Sequence, residues 1–276
     1  MSELHSLVGL LPFEWAQLEF MQYALLAIIL VAPLFTMLGT LVVNNRMAFF
    51  SDTLGHSALT GIALGVLIGI SDPLWAMLAF AIIVALSVNY IKNRTGASTD
   101  TVIGVLSATA VALGIAILSK GGGFARYSRY LIGDLLSITP QDIIGLALVL
   151  IVVFLIMLGT SNQLLLASIN SSLARSRGVH VGLVDLLFTL SLAVVVTISI
   201  QWIGILIINS LLILPAATAR NWCRDMKSYH LITFIIILLC GVAGLIISFY
   251  LNMATGATIV LLIAVIYIIS LILHRA

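Results

Sequence analysis

Two ionisable residues, Asp52 and His56, stand four apart in FFSDTLGHSALTGIALG, a stretch otherwise made of apolar or small residues. On a helix the two side chains stack on one face. A carboxylate and an imidazole nitrogen together form a borderline-hard donor set that suits Zn, Mn or Fe in the divalent state. The plain structural alternative is that Asp52 caps the helix and His56 bonds a neighbouring carbonyl. Against it stands the cost of placing an ionisable group inside a membrane span, roughly 2.5 to 3.5 kcal/mol on insertion scales, which makes such a group a functional candidate by default. The same segment carries Gly61, Gly65 and Gly69, two overlapping small-xxx-small steps that let membrane helices approach closely. Gly61 lies about 140° around the helix from His56. The glycine face can therefore pack on a neighbour while Asp52 and His56 look into a pathway or a subunit interface.

Three further residues are candidates for a pathway or gate. Asn209 and Pro215 lie in WIGILIINSLLILPAATAR, and Asp134 lies in YLIGDLL. Proline removes one helical hydrogen bond and bends the rod, so Pro215 either shapes a gate or is a kink relieved by a nearby hydroxyl. Asn209 bonds either another helix, the commoner use, or a substrate. Enzymatic signatures are missing. There is no GxxxxGK[ST], which leaves Lys120 and the three glycines after it as an outer loop and puts any nucleotide chemistry in another chain. HExxH is also absent. The run from Gly55 to Leu59 begins like a GxSxG elbow but ends in leucine. The chain reads as non-catalytic.

The elements that position these residues follow from composition. Of 276 residues 62% are apolar and 8% charged, with a mean hydropathy of +1.25. A water-facing surface needs about a quarter to a third of its positions charged, so the chain must be solvated by lipid. A net charge of +2 without a basic cluster excludes a nucleic-acid partner. Cys223 and Cys240 lack the number and spacing of a disulfide framework or zinc finger. Three glutamates and no Lys or Arg in the first twenty residues do not make a secretory signal, so the first hydrophobic segment is expected in the mature protein.

A spanning helix needs about 20 apolar residues. Nine such runs are expected, at about 18–43, 48–70, 73–91, 101–119, 142–160, 182–200, 203–219, 229–250 and 256–273, with a tenth, partial helix possible in 124–138. The fold class is thus an all-α polytopic membrane protein, a single transmembrane domain over 1–276. Lys and Arg stay on the cytoplasmic side. Placing Arg46, Lys92, Arg94, Arg175, Arg177, Arg220, Arg224, Lys227 and Arg275 inside leaves only Lys120, Arg126 and Arg129 outside. That puts the N-terminus outside and the C-terminus in the cytoplasm. The outer face then receives Glu3, Glu14, Glu19, Asp72, Asp134 and Asp142, either a rim that favours cations or ordinary caps. One connection, SINSSLARSRGVH over 168–180, is polar and long enough for a short helix, with Asn170, Ser171 and Ser172 as possible caps and Gly178 as its stop. It is either a solvated loop or a helix along the membrane surface that docks a cytoplasmic partner.

Four ordered blocks resemble the membrane subunit of ATP-binding-cassette importers for zinc, manganese and iron: 46–65 (RMAFFSDTLGHSALTGIALG), 130–142 (YLIGDLLSITPQD), 204–220 (GILIINSLLILPAATAR) and 256–261 (GATIVL). The first three are closest to the zinc-importer branch. The resemblance implies a type II importer permease fold like that of the cobalamin importers and a homodimer in the cell membrane. It also implies two cytoplasmic ATPase subunits that use the ATP, an extracytoplasmic protein that delivers the metal, and no permanently bound cofactor. It assigns Asp52 and His56 to an intramembrane metal-coordinating pair. Ser172, Leu173, Ala174, Arg175, Arg177 and Gly178 fall in the stretch that looks like the cytoplasmic coupling helix of the related importers. The related ten-span permeases, less their first helix, would have nine spans and begin outside, in agreement with the charge count. Ser51 and Gly55 replace small residues that vary in the family. Asn252 stands where many relatives carry an acid, which weakens any metal contact expected there. The rival reading, a proton-coupled carrier using Asp52 and His56 as a relay, would need no ATPase and commonly shows inverted repeats; no convincing repeat is present.

Overall fold

The computed structural model describes residues 14–70, 72–95, 98–120 and 135–274. A 3-10 turn (Glu14–Gln17) precedes α1 (Glu19–Asn44), α2 (Ala48–Ile68), α3 (Pro73–Arg94) and α4 (Thr99–Lys120). A second turn (Leu135–Ser137) precedes α5 (Pro140–Ile169), α6 (Ser171–Ser176), α7 (Val181–Ile203), α8 (Ile205–Trp222), α9 (Met226–Leu251) and α10 (Thr255–His274). Among the described residues there is no strand.

Each apolar run read from the sequence is helical. Seven helices, α1, α3, α4, α5, α7, α9 and α10, are long and apolar enough to cross a membrane. In α2 the polar side chains of Ser51, Asp52, Thr53, His56, Ser57 and Thr60 dilute the apolar content. Helix α5 is longer than its expected run of 142–160. It continues through 161–169 because Gln163, Leu164, Leu165, Leu166 and Ala167 are good helix formers with nothing to stop them. Of the suspected helix at 124–138, the described part is the 3-10 turn Leu135–Ser137. Glu3, Arg126, Arg129, Asp134 and Arg275 lie outside the described residues.

The helix ends have local causes. Between α1 and α2, Arg46 takes a left-handed φ of 54°, and the Asn45 side chain donates to the Leu41 carbonyl at 2.8 Å. At the end of α2, Gly69 has φ 83°, and the Ile70 amide reaches back to the Gly65 carbonyl at 2.8 Å, a Schellman ending. Asp72 then caps α3 by accepting the Leu74 amide at 3.0 Å, with Pro73 at the first helical position, where a missing N–H costs nothing. Asn252 ends α9 at φ 52°, a left-handed position that asparagine tolerates better than most residues. Its role there is to stop a helix.

Asp225 caps α9, accepting the Ser228 amide at 3.0 Å and the Ser228 hydroxyl. The hydroxyl bond, then the amide bond, holds its carboxyl below the usual carboxylate range. A depressed folded pKa means the cap is in place at neutral pH and is lost as pH falls through that value. Asp225→Ala is expected to fray the first turn of α9, read as faster amide exchange at Ser228 near neutral pH. Wild type should lose protection at Ser228, relative to the intrinsic exchange rate at each pH, only on acidification, and equal exchange of the two proteins at neutral pH would remove the cap.

The chain divides into two compact units. The first comprises 1–40, 133–151 and 210–276. Its core relies on close approach: a Cβ on Gly39 would lie 2.2 Å from the Leu212 carbonyl oxygen, and one on Gly244 would lie 2.9 Å from Ile259 Cα. Polar ties join its helices. Asn221 donates to the Ser270 hydroxyl at 2.9 Å, and Thr40 Oγ1 lies 3.2 Å from His230 Nε2. The second unit comprises 41–132 and 152–209 and holds α2, α3, α4, α6 and α7. Here α2 is the central rod, packed by α3, α4 and α7.

Candidate functional site

The surroundings of α2 decide which of its side chains are open. Gly61 meets α3 so closely that a Cβ there would stand 2.8 Å from Met77 Cα and 2.9 Å from the Ala76 oxygen. A Cβ on Gly65 would be 2.5 Å from that of Ala76. On the α4 side, a Cβ on Gly114 would lie 3.1 Å from Thr60 Cα, and the Thr60 hydroxyl donates to the Ala110 carbonyl. Phe50, Ser51, Thr53, Leu54, Gly55, Ser57 and Ala58 are buried. Phe49, Asp52, His56 and Leu59 are not, and they fall at the three- and four-residue steps that make one stripe. The two packing glycines thus keep one face against α3 while the donor pair occupies an open one. The third, Gly69, takes no part in that packing: a Cβ there would meet nothing within 4 Å, and its role is the left-handed stop of α2.

His56 Nε2 lies 3.5 Å from Asp52 Oδ1, with side chains 33% and 40% exposed respectively. Two donors that bind one ion tetrahedrally at about 2.0–2.1 Å sit about 3.4 Å apart. The pair is therefore spaced to close on a common cation. Among the described residues no group of three or more His, Cys, Asp or Glu is gathered, and Asp52 and His56 stand there as a pair. Neither residue acts as a helix cap, since the first helical residue is Ala48 and Met47 precedes it.

Asn209 is brought to this helix. The hydroxyl of buried Ser51, next to Asp52, donates to Asn209 Oδ1 and lies 2.9 Å from the Ala48 carbonyl. Asn209 thus ties α8 to α2, the helix-bonding use expected as the commoner one. Ser51, which the sequence marks only as a tolerated departure, is its partner. Pro215 is buried inside α8. The Thr218 hydroxyl donates to the Leu214 carbonyl at 2.7 Å, not to that of Leu211, whose helical donor the proline removes. Pro215 belongs to the first unit, Asp52 and His56 to the second. Asp134 lies outside the described residues.

The polar connection is a helix, α6, shorter than the 168–180 read from sequence, because Ser168 and Ile169 complete α5. Of the three possible caps Asn170 is the one used, accepting the Ser172 and Leu173 amides at 3.0 Å each. Gly178, at φ 79°, follows the C-cap Arg177, as expected. Ser172, Leu173, Arg175, Arg177 and Gly178 are exposed, and Ala174 alone is fully buried. This is a knob held by its smallest side chain, with both arginines presented outward. Missing from the sequence reading is an ion pair between Lys92 of α3 and Asp185 of α7. An acid inside the apolar run 182–200 was the available signal.

The profile of the ABC 3 transport family matches residues 17–274. The chain belongs to the ABC 3 transport family. As a member it is a multi-pass membrane permease of the ABC class and not itself an enzyme, ATP hydrolysis belonging to a separate subunit. The resemblance drawn from the four sequence blocks therefore holds. It is 32% identical over 253 residues to the high-affinity zinc uptake system membrane protein ZnuB of Haemophilus influenzae, covering 90% of this chain and 95% of that protein. It is 30% identical over 257 residues to the manganese import system permease protein ScaB of Streptococcus parasanguinis, covering 92% and 90%. Among solved structures it is similar to PsaBC from Streptococcus pneumoniae in complex with Fab, with a TM-score of 0.78, 28% identity, and coverage of 98% and 94%.

Proposed function

We propose that this ABC 3 family permease carries divalent metal ions, zinc foremost, into the cytoplasm, with Asp52 and His56 as the ligands met on the way. The observation that carries the reading is the donor pair on an open stripe of α2. The two groups lie 3.5 Å apart and are both partly open, a donor set that suits zinc, manganese and iron alike. The likeness to the zinc uptake protein favours zinc. The manganese reading stands second, on the likeness to ScaB. Selectivity among such ions rests on geometry more than on intrinsic affinity.

In this reading α2 and α8 join the other seven long helices as spans of one permease domain over 1–276, of type II importer fold, with the N-terminus outside and the C-terminus in the cytoplasm. Two copies face one another, an extracytoplasmic protein delivers the ion, and two cytoplasmic ATPases dock on α6. Two donors per copy keep the ion weakly enough held to leave, as conduction requires.

The test is competitive uptake of labelled zinc and manganese by cells with and without the chain. Zinc uptake that depends on the chain and resists excess manganese supports the zinc assignment; the reverse order moves it to manganese, and equal uptake in both strains ends metal import. Arg175→Ala combined with Arg177→Ala is expected to lower ATPase recovery on co-purification about tenfold, the loss of two charge-assisted contacts of roughly 0.7 kcal/mol each. Undiminished recovery would free α6 from this role.

A further inference from the structure

Lys92, in the last turns of α3, donates to the carboxylate of Asp185 near the start of α7 over 2.6 Å. The two side chains are 30% and 16% exposed respectively, which shields the pair from the solvent screening that weakens surface ion pairs. Lys92 also lies in the last turn of α3, where the helix dipole favours a cation.

The place of this pair in the chain gives it a task. Helix α6 is fastened to the start of α7: the Val179 amide donates to the Ala174 carbonyl at 3.0 Å, and the His180 carbonyl accepts the Leu183 and Val184 amides at 2.9 and 3.1 Å. Helix α7 packs along α3, and α3 holds α2 through the close approaches at Gly61 and Gly65. All four helices lie in one compact unit. Apolar side chains between packed rods permit small sliding, whereas a charge-assisted hydrogen bond at this length resists it.

We infer that Lys92 and Asp185 are a positioning pair that makes α3 follow α7, and so carries movement of α6 to the helix bearing Asp52 and His56. This rests on the reading of α6 as the ATPase-facing helix of a metal importer. The pair touches neither metal nor nucleotide. Its loss should separate ATP hydrolysis from transport while both partial functions persist.

The experiment uses the full complex with its ATPase subunits and binding protein in liposomes, and reads zinc and manganese moved per ATP hydrolysed. Lys92→Met and Asp185→Asn are each expected to lower the ratio about tenfold, within the range of ordinary coupling between sites. The double variant should be no worse than either single, as for two residues acting through one bond, and Lys92→Arg should stay within about twofold of wild type. Should the singles fail to assemble because a lone charge is left covered, Lys92→Met with Asp185→Leu leaves no charge buried; it is expected to assemble and to show the same tenfold loss. A wild-type ratio in the singles or in the apolar pair, or losses that multiply in the double variant, would overturn the inference alone. A wild-type complex that hydrolyses ATP and moves neither metal overturns the importer reading, and the inference with it.

Discussion

Asp52→Asn is expected to abolish metal uptake while leaving the protein in the membrane at its normal level. Asparagine keeps the size of the side chain and an oxygen at the same place, but it removes the negative charge that makes a carboxylate a strong ligand for a divalent ion. Disturbing an outer-shell partner of a metal ligand already costs 10- to 100-fold in affinity or activity, so loss of a ligand itself is expected to cost about 100-fold or more. Stability should barely change. The carboxylate is 40% exposed and lies 3.5 Å from its imidazole neighbour, and an open pair of this kind contributes about 0–1 kcal/mol. His56→Ala should reproduce the loss. Labelled zinc uptake, set against the amount of each variant in the membrane, checks both. Wild-type rates in Asp52→Asn would remove the pair from the pathway, whereas a fall in protein level matching the fall in uptake would make its role structural.

Gly61→Leu carries the second large effect, and it acts through packing. The Cβ alone would stand 2.8 Å from Met77 Cα and 2.9 Å from the Ala76 oxygen. Both are backbone atoms, which cannot swing aside as the end of a side chain can. Helices α2 and α3 must separate, at a cost of about 3 kcal/mol or more, the upper part of the overpacking range. The expected result is poor accumulation and a lowered melting temperature in detergent. Gly104→Leu on α4 is the control. A Cβ there meets nothing within 4 Å, and the change should not destabilise, leucine being the better helix former by about 0.8 kcal/mol. Equal melting temperatures for the two variants would mean that α2 and α3 do not pack as described.

The Gly61 contact also separates what is legible in a sequence from what is not. The four-residue spacing of Gly61 and Gly65 announced a packing face, and the angle from His56 put the donors on another one; both hold. Gly69 continues the same spacing yet takes no part in that packing, because the helix ends there. A pattern along one chain cannot say where its neighbour stops. Gly39, under the Leu212 carbonyl, has no small residue four positions away to reveal it, and Gly114, against Thr60, shares only the step from Ala110, one of several such steps along α4. Each is required by an approach between residues far apart in sequence.

The sequence by itself determined the solvent and the class, and it singled out the candidate site. Nearly two-thirds apolar composition leaves lipid as the only adequate solvent, apolar runs of membrane length define the helices, and a carboxylate four residues from an imidazole can be read as a ligand pair before any fold is known. These properties are local or additive, so they survive reading one residue at a time. The tertiary structure alone decided that Asp52 and His56 share an open stripe of α2, that Ser51 holds Asn209, and that Lys92 meets Asp185 across 93 positions. The physical reason is that burial and pairing belong to surfaces made by several helices at once. Which face of a rod is open depends on every rod laid against it.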